Sequence, residues 1–167
     1  LNKKKRGGED MTRILFVCTG NICRSPTAEA VARHFIETAG LVGRIEVDSA
    51  GTQGYHAGEA PDPRTQKIAK QRGYDLSSLR ARKLETRDFQ EFDLLLAMDR
   101  GHLDTMRRLC PPVYQPRLGL FMQFDGSRQF EDEVPDPYYG GPRGFDLVLD
   151  MCEHGVRGLL ETVSARV

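Results

Sequence analysis

Apolar residues along this chain follow two rhythms. Short unbroken blocks, Ile14-Leu15-Phe16-Val17 and Leu94-Leu95-Leu96-Ala97-Met98, have the make-up of strands buried on both faces of a parallel sheet. Around them run spaced stripes with the 3.6-residue period of helices. The longest stripe sets Phe145, Val148, Leu149, Cys152, Val156, Leu159, Leu160 and Val163 on one face over about five turns. Strands are predicted in the two blocks, the second extended over Phe92 to Met98, and at Ile45 to Ala50. A weaker fourth lies near Val113, where flanking prolines oppose sheet pairing.

Helices are predicted at about Asp62 to Arg72, Thr86 to Phe92, Asp99 to Leu109 and Pro142 to Val163. Another opens at Ser25-Pro26, read as N-cap and first-turn residues, with Ala28, Val31, Ala32, Phe35 and Ala39 as its apolar stripe. This alternation predicts an α/β fold, a parallel sheet with helices on both faces. Cys152 lies within an apolar stripe and Cys110 at a helix end before Pro111-Pro112, so both read as core packing.

The first strand runs into V-C-T-G-N-I-C-R-S-P, Val17 to Pro26. The loop from Cys18 to Ser25 is thus held between a strand's carboxyl end and a helix's amino end. Backbone N–H groups converge there, and the helix dipole favours negative charge. Gly20 is expected to permit a tight turn and close ligand approach, and Asn21 to take a left-handed conformation or tie the loop together. Beside Arg24 in such a field, Cys18 is expected to ionise more readily than an ordinary thiol. The groups that favour a thiolate also bind a phosphate, and the planar fork of Arg24 matches two of its oxygens. The loop therefore reads as a thiol nucleophile in an anion cradle.

Composition narrows the class. The 167 residues suffice for one domain with a sizeable core. Of 24 basic and 24 acidic groups, the first ten residues carry four and two, leaving a body of 20 against 22. That balance gives no reason to expect nucleic acid or an acidic membrane as partner. Residues 1–10, L-N-K-K-K-R-G-G-E-D, read as a disordered extension or a cloning remnant, since no apolar run follows their cationic start. The domain is expected to span 11–167. Four cysteines, two in one loop, point to reduced thiols in cytoplasm, and Cys18 with Cys23 lacks a second close pair for zinc.

C-T-G-N-I-C-R-S-P-T-A-E resembles the active-site loop of the low-molecular-weight protein tyrosine phosphatases, and D-P-Y-Y-G-G at Asp136 to Gly141 resembles their general-acid segment. S-A-G-T-Q-G-Y at Ser49 to Tyr55, P-D-P-R at Pro61 to Arg64 and A-M-D at Ala97 to Asp99 are similar to family segments in the same order. The resemblance implies a doubly wound, flavodoxin-like sheet of four parallel strands, with the ligand outside the strands' carboxyl ends. It implies hydrolysis of phosphotyrosine in proteins through a cysteinyl-phosphate, without metal or cofactor. Cys18 would be the nucleophile, Arg24 the phosphoryl clamp and Asp136 the acid and then base, with Thr19, Gly20, Asn21, Ile22, Cys23 and Ser25 completing the phosphate loop.

Ile22, Tyr55, Tyr138 and Tyr139 would line the cleft, although each tyrosine reads equally as surface packing. Ser25 would donate to the Cys18 sulfur or serve only as a helix cap, and Asp99, ending the third strand, would support the loop. Cys23 would close a protective disulfide on an oxidised Cys18. The partners implied are a phosphotyrosine protein and a cognate tyrosine kinase. The family often carries asparagine three residues beyond the Asp99 position; His102 stands here and reads as a helix-surface residue. Two alternatives share the loop: protein-arginine phosphatases, whose pattern has threonine in place of Ile22, and thioredoxin-coupled arsenate reductases, which need a further cysteine pair.

Overall fold

The computed structural model describes residues 5–6, 9–139 and 141–165. Its centre is a four-stranded parallel sheet of β1 (Thr12–Cys18), β2 (Ile45–Gly51), β3 (Leu94–Ala97) and β4 (Leu118–Leu120), in the order β2-β1-β3-β4. Five helices accompany it: α1 (Arg24–Thr38), α2 (Pro63–Gln71), α3 (Thr86–Glu91), α4 (Arg100–Leu109) and α5 (Pro142–Ser164). Of the ten leading residues, 1–4 and 7–8 lie outside those described, and Lys5–Arg6 pairs antiparallel with Glu9–Asp10.

The period of two along β1 sorts the core into layers. Ile14, Phe16 and Cys18 face a cluster built largely by α1, α2 and α5, whereas Leu15 and Val17 face Phe89, Leu103, Met106 and Cys110 of α3, α4 and its end. All eight residues of the α5 stripe are buried, Cys152 completely. The α1 stripe is one turn shorter than its spacing suggested: Ala39 is an exposed C-cap residue, and Ile36 takes the last core position.

Two boundaries differ from the sequence pattern. The region around Val113 is not a strand; Pro112–Arg117 forms a 3-10 turn, because three prolines at 111, 112 and 116 set φ and remove ladder donors. The fourth strand starts at Leu118. Helix α1 starts at Arg24 with Cys23 at its N-cap, so Ser25 is inside the first turn and its hydroxyl is not a cap.

The chain leaves β1 for β2 on one side and reaches β3 on the other. The carboxyl ends of β1 and β3 therefore flank the switch in strand order where open α/β sheets bind ligands.

Helix α5 lies close against the 3-10 turn Phe121–Phe124. A Cβ at Gly158 would overlap the Phe124 carbonyl oxygen, and one at Gly155 would meet the Phe121 ring at 2.6 Å. Glycine to alanine in a helix normally gains about 1 kcal/mol. Gly158→Ala should instead destabilise by about 1–3 kcal/mol, because backbone must move to admit the methyl. Urea unfolding of the two proteins checks this, and a stabilised variant would contradict the close approach.

Candidate active site

At the end of β1 the chain turns through Asn21, which sits at φ 57°. Asparagine tolerates this left-handed conformation, and here its amide is saturated as well. Nδ2 donates to Ser25 Oγ at 2.8 Å and Ser49 Oγ at 2.9 Å, and Oδ1 accepts from the Arg82 amide at 3.0 Å. Asn21 thus ties the loop to both β2 and the segment before α3. Gly20, expected to make the turn, has no positive φ; its role is steric, since a Cβ there would meet the His56 ring at 2.9 Å.

The hydrogen-bond chain continues inward. Ser49 Oγ donates to Glu29 Oε1 at 2.7 Å, and Arg33 Nε donates to Glu29 Oε2 at 2.8 Å. Burial raises the pKa of Glu29, with Ser49 and Arg33 opposing the rise. Ser25 Oγ stands 3.0 Å from Cys18 Sγ and 3.4 Å from the Ala50 carbonyl. Its oxygen accepts from Asn21, and its one proton is shared between the Ala50 carbonyl and the nearer sulfur.

Arg24 is only 4% exposed and needs partners to be tolerated there. Nη1 donates to Asp99 Oδ2 at 2.8 Å and to the Val134 carbonyl at 3.1 Å, while Nη2 lies 3.4 Å from Thr19 Oγ1 and 3.3 Å from His102 Nε2. Asp99 is the N-cap of α4, two residues past the end of β3, and its Oδ1 accepts from the His102 amide at 2.9 Å. Partial burial pushes its pKa up, but that amide, His102 and Arg24 outweigh burial and hold it below the usual carboxylate range.

These residues frame a cleft of 270 Å³ lined by Cys18, Thr19, Gly20, Ile22, Cys23, Arg24, Tyr55, His56, Asp136 and Tyr138. Asn21 and Ser25 lie behind it, fully buried. Tyr55 and Tyr138 are 81% and 60% exposed, and the Tyr138 ring also packs against the Arg64 guanidinium at 5.1 Å. Asp136 is exposed and its Oδ1 accepts from the Tyr138 amide at 3.0 Å. The side chain of Tyr139 is outside the described residues. A larger neighbouring groove of 420 Å³, which includes Ile68 and Phe145, shares Tyr138 with the cleft but is lined by no cysteine among the described residues.

Burial, opposed by a Thr65 hydrogen bond, pushes the Cys23 thiol up to about 12, and burial also raises Cys110 and Cys152. Neither of the latter two lines the cleft. His102 departs most from its sequence reading: it is 5% exposed, on the inner side of α4, and 2.7 Å from Thr19 Oγ1. The i, i+3 spacing puts the ring on the same side of α4 as its N-cap residue Asp99, but no sequence signal shows that this side meets Thr19 and Arg24. His56, Arg82 and the Val134 carbonyl were also missed; each arrives from a distant segment.

A family model for low molecular weight phosphotyrosine protein phosphatase matches residues 13–167. The chain is 46% identical over 157 residues to a low molecular weight protein-tyrosine-phosphatase of Streptomyces coelicolor, covering 93% of this chain and 95% of that one. It is 39% identical over 150 residues to the human low molecular weight phosphotyrosine protein phosphatase, covering 89% and 93%. A crystal structure of protein tyrosine phosphatase from Entamoeba histolytica superimposes with a TM-score of 0.89 at 39% identity, covering 93% of this chain and 98% of that one.

Burial, then Arg24, push the pKa of His102 from 6.5 down to about 4, against the opposing pull of Asp99, Asp136 and Glu133. Between those values the unfolded chain holds a proton that the folded protein excludes. Stability should therefore fall as pH drops from about 6.5 to about 4, by roughly 3 kcal/mol from this residue. Denaturation midpoints across that interval should fall less in His102→Gln than in the wild type. Identical pH dependence would show that His102 is not held neutral.

Proposed function

We propose that Cys18 is the nucleophile and Asp136 the proton donor of this chain, which belongs to the low-molecular-weight protein-tyrosine-phosphatase family and hydrolyses phosphotyrosine in proteins. The observation that supports these roles best is the shared cleft, where the sulfur, the guanidinium and the Asp136 carboxyl line one cavity with tyrosines at its rim.

In the first step the Cys18 thiolate attacks phosphorus, the bond to the phenolic oxygen breaks, and Asp136 gives that oxygen its proton. The products are the dephosphorylated tyrosine side chain of the substrate protein and a cysteinyl-phosphate. Asp136, now a carboxylate, takes a proton from water as the water oxygen attacks phosphorus. The S–P bond breaks, phosphate leaves, and the thiolate returns with Ser25 Oγ placed to hydrogen-bond it. Because both Nη1 hydrogens of Arg24 are committed to Asp99 and Val134 and one on Nη2 to Thr19, Nε and the other Nη2 hydrogen are the donors left for the phosphoryl oxygens. The loop amides of Thr19 to Ser25 supply the remaining donors to the equatorial charge.

Ile22 is half-buried in the cleft wall, where apolar bulk suits a flat phenol ring better than a guanidinium that needs polar partners. This supports phosphotyrosine over phosphoarginine. Cys23, raised by burial, stays protonated during turnover. Under peroxide, Cys18 would become a sulfenic acid, and attack by Cys23 sulfur would release water and form a reducible disulfide. All four cysteines are free thiols, which supports placement in the cytoplasm, with a cognate tyrosine kinase as a counterpart. Among the described residues no helix is long and apolar enough to cross a membrane.

Cys18→Ser should abolish turnover while still binding inorganic phosphate, and Asp136→Ala should lower kcat on tyrosyl phosphates by about 10²–10⁴-fold. The Asp136 loss should shrink for aryl phosphates with strongly acidic leaving groups. Steady-state kinetics across a leaving-group series tests both, and a uniform loss would remove Asp136 as the acid.

Ile22→Thr should shift the kcat/KM ratio of phosphotyrosine to phosphoarginine peptides toward phosphoarginine by roughly 10–200-fold. An unchanged ratio would show that Ile22 does not select the substrate.

A further inference from the structure

His102 occupies a position where its tautomer is dictated by its neighbours. Nε2 lies 3.3 Å from Arg24 Nη2, a group that only donates, and 2.7 Å from the Thr19 hydroxyl. Nδ1 lies 3.1 Å from Asp99 Oδ1, a carboxylate that only accepts, although off the line of a good hydrogen bond. A proton on Nε2 would face the arginine and leave a lone pair against the carboxylate. A proton on Nδ1 resolves both contacts, and it leaves the Nε2 lone pair to accept from the nearer Thr19 hydroxyl.

The consequence concerns the guanidinium. Its Nη1 corner is anchored by Asp99 and Val134, and among the described residues the other hydrogen-bond contacts that restrain its rotation about that corner are those of Nη2 with Thr19 and His102. The geometry points to His102 as a positioning residue for Arg24: neutral and protonated on Nδ1, it takes the Thr19 hydroxyl proton at Nε2, which turns the Thr19 oxygen to accept one Nη2 hydrogen and leaves the other, with Nε, for the phosphoryl group. This rests on the reading of Arg24 as the phosphoryl clamp. Thr19 is the relay, since its oxygen accepts from Arg24 while its proton goes to Nε2.

The other charged groups around the ring are Asp99, at the head of the same helix, and Glu133 and Asp136 from the loop before α5. A doubly protonated ring would turn the acceptor at Nε2 into a second cation-borne donor aimed at Arg24. Asp99 therefore holds both the arginine and the histidine that faces it.

Three measurements test the assignment. Long-range ¹H–¹⁵N spectra of the wild-type protein at neutral pH should show His102 with Nε2 unprotonated. His102→Leu, which keeps bulk but removes the acceptor, should lower kcat/KM on a phosphotyrosine peptide by about 10–100-fold and weaken inhibition by inorganic phosphate, the scale of a misplaced reacting group. His102→Gln, whose side-chain oxygen returns an acceptor near the Nε2 position, should recover most of that loss. A proton on Nε2, a leucine variant with wild-type kinetics, or a glutamine variant as poor as leucine would each overturn the proposal. Arg24→Ala run alongside separates the two readings: if it is inactive while His102→Leu is not, only the positioning role fails. If Arg24→Ala retains wild-type activity, the clamp and the positioning role fail together.

Discussion

A buried guanidinium cannot stand without a carboxylate, and the pairing of Arg24 with Asp99 organises this molecule. Arg24 opens α1 at the end of β1, and Asp99 caps α4 just beyond β3. Leaving either charge unpaired would cost on the order of 3–5 kcal/mol. The ion pair therefore holds the two strand ends that border the switch in strand order in one relative position. It also aims the arginine, because Asp99 spends one oxygen on Arg24 and the other on the first turn of its own helix.

The second constraint is the left-handed Asn21. A loop that must present its amides inward has to reverse its curvature once, and it does so at a residue whose side chain is held by three hydrogen bonds. From there a buried polar chain runs through Ser25 to Cys18 and through Ser49 to Glu29 and Arg33. Such networks are costly when partly satisfied and rigid when complete. Here rigidity has chemical value, since an anion cradle that needs no reorganisation at the moment of reaction stabilises charge best.

The other half of the site is more exposed. Asp136 is exposed, flanked by prolines and joined to its surroundings through a hydrogen bond from the Tyr138 amide. The Cys18 sulfur sits at the end of the sheet and the Asp136 carboxyl on a surface loop, so the proposed nucleophile and proton donor are held to different degrees. That division suits a group that must first give a proton to a phenol and then take one from water.

What the chain determines locally was legible from its residues alone: the parallel strands from solid apolar blocks, α5 from its period, the cradle from a cysteine, an asparagine and an arginine between strand and helix. The strand and helix periods decide which face is buried, and turn residues decide where elements stop, because both act within a few neighbours. Prolines 111, 112 and 116 displaced the fourth strand to Leu118, a local effect underestimated rather than hidden. His102 shows the other kind of information. In sequence it is a polar residue on a helix of mixed composition, and only the meeting of β1 and β3 turns that helix so that the ring reaches Thr19 and Arg24, 83 and 78 residues away. The pairing of Asn21 with the Arg82 amide and of Arg24 with the Val134 carbonyl is of the same type. Backbone groups carry no sequence signature as partners, so their role is decided by tertiary packing, which brings distant segments within the 3 Å or so that a hydrogen bond requires.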